Sequence, residues 1–93
     1  MFSVVVYDIS DNKARTDLIK HLQHYGLYRL QKSVFIGYLE LESMLDLAEE
    51  FEKFLSSDKD SIVLFPLCKS CREYISLEGN ASIPVEDRKY EFL

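Results

Sequence analysis

Glycine is scarce in this 93-residue chain, with three in all. No glycine-rich loop to cradle a phosphate can be built from them, and neither a G-x-S-x-G nucleophile turn nor an H-E-x-x-H metal helix is present. Cysteine is almost as rare. Its two residues form one C-x-x-C, Cys68 and Cys71, which fits a reducing compartment better than a disulfide framework. Long apolar runs are missing too, since none approaches the roughly 18 residues of a membrane span. The N-terminus opens directly on FSVVVYDIS, without a basic leader or a small-residue cleavage pattern. The reading is a cytoplasmic protein that does not engage a membrane.

Positive charge is also in deficit, at a net −5. Phosphate contacts need Lys and Arg, so this balance argues at first against a nucleic-acid partner. Its distribution weakens the objection. Residues 1–38 carry five basic and three acidic side chains, the remainder six basic and thirteen acidic. A local basic face is compatible with that split.

What is present is globular: 47% hydrophobic residues, with six Tyr and six Phe. One domain of this size has a small core, typically giving no more than ~3–5 kcal/mol, so a second subunit is an economical source of burial.

Residues Phe2 to Ile9 form a β-branched and aromatic run with apolar residues on both parities, the pattern of a strand covered on both faces. Ser10, Asp11 and Asn12 can each cap the helix that follows. Ala14, Leu18, Leu22 and Tyr25 then mark one helical stripe, with Ile19 beside it, and Gly26 ends it in a left-handed cap. Two short strands are expected at Leu27–Gln31 and Val34–Leu39. A second helix is expected over Ser43–Leu55, opened by Ser43-x-x-Asp46 as a capping box, with Met44, Leu47, Ala48, Phe51, Phe54 and Leu55 buried. SSDKDS reads as a polar turn, Ser61–Leu67 as a fourth strand and Arg72–Leu77 as a short fifth one. The fold class is therefore α+β, a ferredoxin-like βαββαβ with an additional C-terminal strand. Residues 1–78 make the domain, and residues 79–93, polar and containing Pro84, a C-terminal arm.

Two helices cover one face of a four-stranded sheet. Yet Val34, Ile36 and Tyr38 oppose Phe35 and Leu39 in parity, and Ile62 and Leu64 oppose Val63, Phe65 and Leu67. Both faces are apolar, and an uncovered one would be a large adhesive patch. A second copy packed face to face about a two-fold axis covers it; a tail folded over its own sheet is the alternative.

Asp8 shares the parity of Phe2, Val4 and Val6 at the end of the most apolar strand. A carboxylate there is either a strand-end cap for the next helix or a cation ligand. Magnesium usually takes one or two carboxylates plus waters and phosphate oxygens. A two-fold axis near Asp8 would supply the second carboxylate, so such a site would exist only in a dimer. Asp11 reads as a helix cap before a ligand, and Ser10 as either a cap or a group facing the metal's water shell. Tyr7 reads as a core or interface aromatic. Lys13, Arg15, Lys20, Arg29 and Lys32 are phosphate-contact candidates, each with a solvated charged face as its plain alternative. His21 and His24 lie one turn apart without a third zinc ligand nearby; Cys68 and Cys71 would need two further ligands, from this chain or its partner, for a structural zinc, and read as an incidental pair before a zinc or disulfide site. No βαβ pattern places the cysteine pair at the start of a helix, as redox use would require.

The run Val-Val-Tyr7-Asp8-Ile9-Ser10-Asp11 precedes a basic helix start with Arg15. Tyr25-Gly26, Arg29-Leu30-Gln31 and Ser33-Val34-Phe35 then follow in order. Together these resemble the small CRISPR-associated endonucleases of the second Cas family, partners of the CRISPR integrase, over residues 1–67. The resemblance implies a face-to-face ferredoxin-like homodimer in which Asp8 binds magnesium, or manganese in its place, across the two-fold axis and is the catalytic residue. It implies metal-dependent cleavage of RNA or DNA and a role with the integrase in spacer acquisition. It also implies that Lys13, Arg15, Arg29 and Lys32 contact nucleic-acid phosphates. A non-catalytic DNA-binding adaptor of the integrase complex is the alternative within the same family. A regulatory module that binds a small ligand is the alternative the fold allows by itself.

Overall fold

The computed structural model describes residues 1–79. The expected arm from residue 80 onward, with Pro84, lies outside them. The order of elements is β1 (Phe2–Asp8), α1 (Asn12–His24), β2 (Tyr28–Gln31), β3 (Val34–Tyr38), α2 (Leu41–Glu50), a 3-10 turn (Phe51–Phe54), β4 (Ser61–Leu67) and α3 (Lys69–Arg72). The four strands form one sheet in the order β2-β3-β1-β4, antiparallel throughout. This is the ferredoxin-like arrangement, with the most apolar strand, β1, between two neighbours. Pro66 has no backbone N–H to give a ladder, and β4 is an edge strand, where that costs little.

The ends of α1 follow from local chemistry. The Asp11 carboxylate accepts the Ala14 backbone N–H at 2.8 Å, so Asp11 is the N-cap. At the other end Gly26 takes φ +86°, with Leu27 N–H donating to the Leu22 carbonyl and Gly26 N–H to that of Gln23. That pair of bonds is the Schellman closure, and the positive φ suits glycine. Leu18 and Leu22 are buried, with Ala14, Ile19 and Tyr25 packed beside them.

The second helix differs from expectation at both ends. It starts at Leu41 with Glu40 as an N-cap that makes no side-chain bond, which places Ser43 inside the first turn rather than at the cap. Met44, Leu47 and Phe51 are buried, whereas Ala48 and Leu55 face solvent. The 3-10 tightening after Glu50 rotates the later residues off the stripe that a continuous α-helix would have.

The helices lie on one face of the sheet, where Val5, Tyr7, Ile9, Phe35 and Leu39 pack against Leu18, Leu22, Met44, Leu47 and Phe51. The backbones come close here. A methyl group on Gly37 would stand 2.8 Å from Leu27 Cδ2 and 3.2 Å from its Cα.

Among the described residues, neither α1 nor α2 covers the opposite face. Phe2, Val4 and Ile36 form a small cluster with Leu30, Val34, Leu67 and Ile75 at its margin, while Val6, Tyr38, Val63 and Phe65 are exposed. The strand expected over Arg72–Leu77 does not form. Cys68 instead takes the N-cap position of the single helical turn of α3 without a side-chain bond, and the chain then crosses the Phe2 end of the open face, with the Arg72 guanidinium 3.9 Å above the Phe2 ring. A fifth strand needs an unpaired sheet edge, and the turn at residues 69–72 carries the chain across the face instead. No helix among the described residues is long and apolar enough to cross a membrane.

Candidate metal and nucleic-acid site

Antiparallel pairing gathers one end of the molecule. The C-terminus of β1, the start of β3 and the start of β4 meet there, with Asp8 opposite Ser61 and Val6 opposite both Val34 and Val63. The N-terminus of α1 and the β2–β3 turn close the same end. Tyr7 ties that turn down, its N–H donating to the Ser33 carbonyl at 3.1 Å and its hydroxyl to the Lys32 carbonyl at 3.0 Å. Tyr7 is a core aromatic, as its parity indicates.

Asp8 stands on the helix-free face, in line with Val4 and Val6. Its carboxylate is exposed and has no hydrogen-bond or ion-pair partner among the described residues. It therefore does not cap α1, the role Asp11 fills. Among those residues no group of three or more His, Cys, Asp or Glu side chains is disposed to hold a metal. Asp8 is thus a carboxylate free of competing bonds among the described residues, at the edge of the apolar face that α1 and α2 leave open; magnesium takes one or two carboxylates with waters and phosphate oxygens, and a second copy would bring another.

The basic candidates divide. Arg15 is held at this end, its Nη1 donating to the Ile9 carbonyl at 2.9 Å and its Nη2 to Asn12 Oδ1. That leaves a guanidinium of fixed orientation one residue beyond the metal candidate's strand. Lys13 is exposed and bridges to Asp17 at 2.9 Å, which holds its ammonium above the usual lysine pKa, mainly through the hydrogen bond. Lys32 is exposed in the β2–β3 turn. Arg29 is elsewhere. It pairs with Phe35, whose ring lies 5.6 Å from its guanidinium, and so belongs to the helix side of the sheet rather than Asp8's side.

Sequence reading missed Asp60. Its Oδ1 accepts the Ser10 N–H (3.0 Å), the Ser10 hydroxyl (2.9 Å) and the Ser57 hydroxyl (3.1 Å), and its Oδ2 the Ser56 N–H (2.8 Å) and hydroxyl (2.6 Å). The Ser56 hydroxyl and N–H, then the Ser10 N–H, hold this carboxyl far below the usual range. Ser10 is thereby committed to Asp60 and does not cap α1. The signal was present in SSDKDS, since an aspartate among serines forms such turns. The partner 50 residues away was not visible locally.

The two histidines lie at the far end of α1, about 20 Å from Asp8's end by helical rise. There His21 Nε2 is 2.8 Å from Glu50 Oε1, which also accepts the Tyr25 hydroxyl at 2.7 Å. With His24 and Ser43 these residues line a cleft of about 470 Å³. The Glu50 bond, with burial behind it, pushes the Tyr25 phenol up to about 12, and the same bond holds Glu50 below its usual value.

Known proteins share this architecture and sequence. The family model described as CRISPR associated protein Cas2 matches residues 1–75. A CRISPR-associated endoribonuclease Cas2 of Archaeoglobus fulgidus is 37% identical over 94 residues, covering 100% of each chain. A CRISPR-associated endonuclease Cas1/endonuclease Cas2 fusion of Thermoproteus tenax is 33% identical over 69 residues, 74% of this chain and 26% of the fusion. Among solved structures, Streptococcus pyogenes Cas2 superposes with a TM-score of 0.73 at 24% identity, covering 85% of this chain and 100% of that one. That last match is a likeness of fold.

Proposed function

The chain belongs to the CRISPR-associated Cas2 family, and from that premise we propose that it is a cytoplasmic, magnesium-dependent endonuclease working as a face-to-face homodimer. The observation that carries the reading is Asp8, an exposed carboxylate without a partner among the described residues, at the rim of the apolar sheet face that α1 and α2 leave open. Burying Val6, Val63 and Phe65 against a second copy places two Asp8 carboxylates about one axis. Magnesium held there, or manganese in its place, supplies the charge that polarises a scissile phosphodiester. The name of the Archaeoglobus fulgidus relative supports RNA as a substrate.

The chain's own residues account for the rest. Lys13, Arg15 and Lys32 surround Asp8's end and hold backbone phosphates on either side of it, Arg15 with its fork already oriented by Ile9 and Asn12. Arg29, on the other side of the sheet, reaches only a longer strand that passes over the β2 edge. The partner role rests on a separate observation. In the Thermoproteus tenax fusion an endonuclease Cas1 and an endonuclease Cas2 share one chain, which supports the CRISPR integrase as partner here.

Cleavage of single-stranded RNA and double-stranded DNA, with magnesium and with EDTA, tests the enzyme reading alongside Asp8→Asn. The expected result is loss of at least about 100-fold in rate with an unchanged dimer by light scattering. Full activity in Asp8→Asn overturns the site. Loss of cleavage with integrase binding and spacer acquisition intact makes the adaptor role the one the cell uses.

A further inference from the structure

Cys68 and Cys71 are both exposed, and their sulfurs lie 3.4 Å apart. The spacing of three residues over one helical turn puts both side chains on the same side. The turn is held by Arg72 N–H on the Cys68 carbonyl (3.1 Å), Tyr74 N–H on that of Cys71 (3.1 Å) and Ile75 N–H on that of Arg72 (3.2 Å). Its two ends are anchored to one place. Leu67, the residue before Cys68, pairs with Phe2 in the sheet. Arg72, the residue after Cys71, stacks on the Phe2 ring, and Ile75 packs on the same cluster.

We propose that Cys68 and Cys71 form a thiol–disulfide exchange site for low-molecular-weight disulfides of the glutathione type, and that its closure fixes the turn carrying Arg72 and Ile75 onto the open sheet face. The pair is asymmetric. Backbone N–H groups of the turn, then the Cys71 thiol, lower the pKa of Cys68, while the Cys68 sulfur raises that of Cys71. Cys68, at the N-cap position of the turn, is assigned as the attacking sulfur and Cys71, one turn on, as the resolving one.

In the first step the Cys68 thiolate forms a bond to one sulfur of glutathione disulfide, the S–S bond of that disulfide breaks, and one glutathione thiolate leaves. In the second the Cys71 thiolate attacks the Cys68 sulfur, the mixed disulfide breaks, and the second glutathione thiolate leaves. The two protons of the cysteines end on the two glutathiones. The protein pair is oxidised by two electrons, and one glutathione disulfide is reduced. Disulfides of this transient kind are the ones a reducing compartment tolerates.

The test uses the full chain, reduced and then equilibrated with graded ratios of glutathione to its disulfide. The expected product is lighter by two hydrogens, carries no glutathione and no longer reacts with maleimide. In Cys71→Ser a mixed disulfide accumulates at Cys68, and in Cys68→Ser its formation at Cys71 slows by about tenfold or more. In the oxidised wild type, amide exchange at Tyr74 and Ile75 slows by about fivefold or more. Absence of an intramolecular disulfide at every ratio overturns the site, and an oxidised form with unchanged exchange at Tyr74 and Ile75 overturns its effect on the turn. Neither readout involves Asp8 or nucleic acid, so these outcomes are independent of the nuclease reading.

Discussion

The two faces of the sheet are built from the same strands and the same kinds of residue, and they end in different states. On the helix side Val5, Phe35, Leu18, Leu22 and Leu47 are wholly buried within one chain. On the other side, among the described residues, Phe2, Val4 and Ile36 are buried less completely, with Arg72 and Ile75 against them, while Val63 remains 51% exposed and Phe65 39%. The two longer helices among the described residues, α1 and α2, both pack on one face. The difference separates what holds the monomer together from what is left for a partner and a ligand. Asp8, on the second face, belongs with the unfinished side.

Substitution of the helix side tests the first half of that contrast most severely. Phe35→Ala should destabilise the fold by ~3–5 kcal/mol, because the ring is fully buried between sheet and helices and nothing can refill the space. Chemical denaturation measures it, and a loss of under ~1 kcal/mol would place the main core elsewhere.

On the open face the expected effect moves from folding to association. Phe65→Glu should leave the thermal midpoint of a dilute monomer nearly unchanged and weaken self-association by about 100-fold or more, as sedimentation velocity would show. A folded dimer that survives this charge would mean that the copies meet through another surface.

A smaller effect is expected at Asp60, where the two ends of the site are joined. Its folded pKa lies below the unfolded value of 3.8. Its stabilisation is therefore complete above that value and is lost as pH falls through the folded one. Asp60→Asn should lower Tm at neutral pH and reduce the acid sensitivity of stability below pH ~4. Matching acid limbs in the two proteins would show that another carboxylate governs them.

The smallest change is spectroscopic. Tyr25 should ionise near 12, and since its pKa is raised on folding, this contribution holds below the ordinary tyrosine range and fades as pH rises through the folded value. In Glu50→Gln the phenol should titrate nearer ~10, read from the absorbance of tyrosinate. An unshifted titration would dissociate Tyr25 from Glu50.

Much of the helix-covered half was legible without coordinates. Asp11 is the cap, Gly26 the left-handed stop, Leu18 and Leu22 the buried stripe, and Ser61–Leu67 the fourth strand. Each is a short-range matter of hydrogen bonds, φ angles or periodicity. Where α2 begins was not legible, because Glu40 makes no capping bond and the start at Leu41 depends on where β3 delivers the chain. At the site, the parity of Asp8 with Val4 and Val6 was readable, whereas the separation of Arg29 from Asp8 depended on the register of β2 with β3.

The sequence by itself determined the order of β1 to β4 with α1 and α2 between them, the apolar character of both sheet faces and the position of Asp8 at the end of β1, since periodicity and local capping follow from neighbouring residues alone. Only the tertiary structure decided the rest. It assigned both helices to one face and bound Asp60 to Ser10 across 50 residues. It also replaced the expected fifth strand with a helical turn that begins after Cys68 and lays Arg72 on Phe2. Those outcomes depend on which surfaces meet when the chain closes, and strands far apart in sequence set that geometry together.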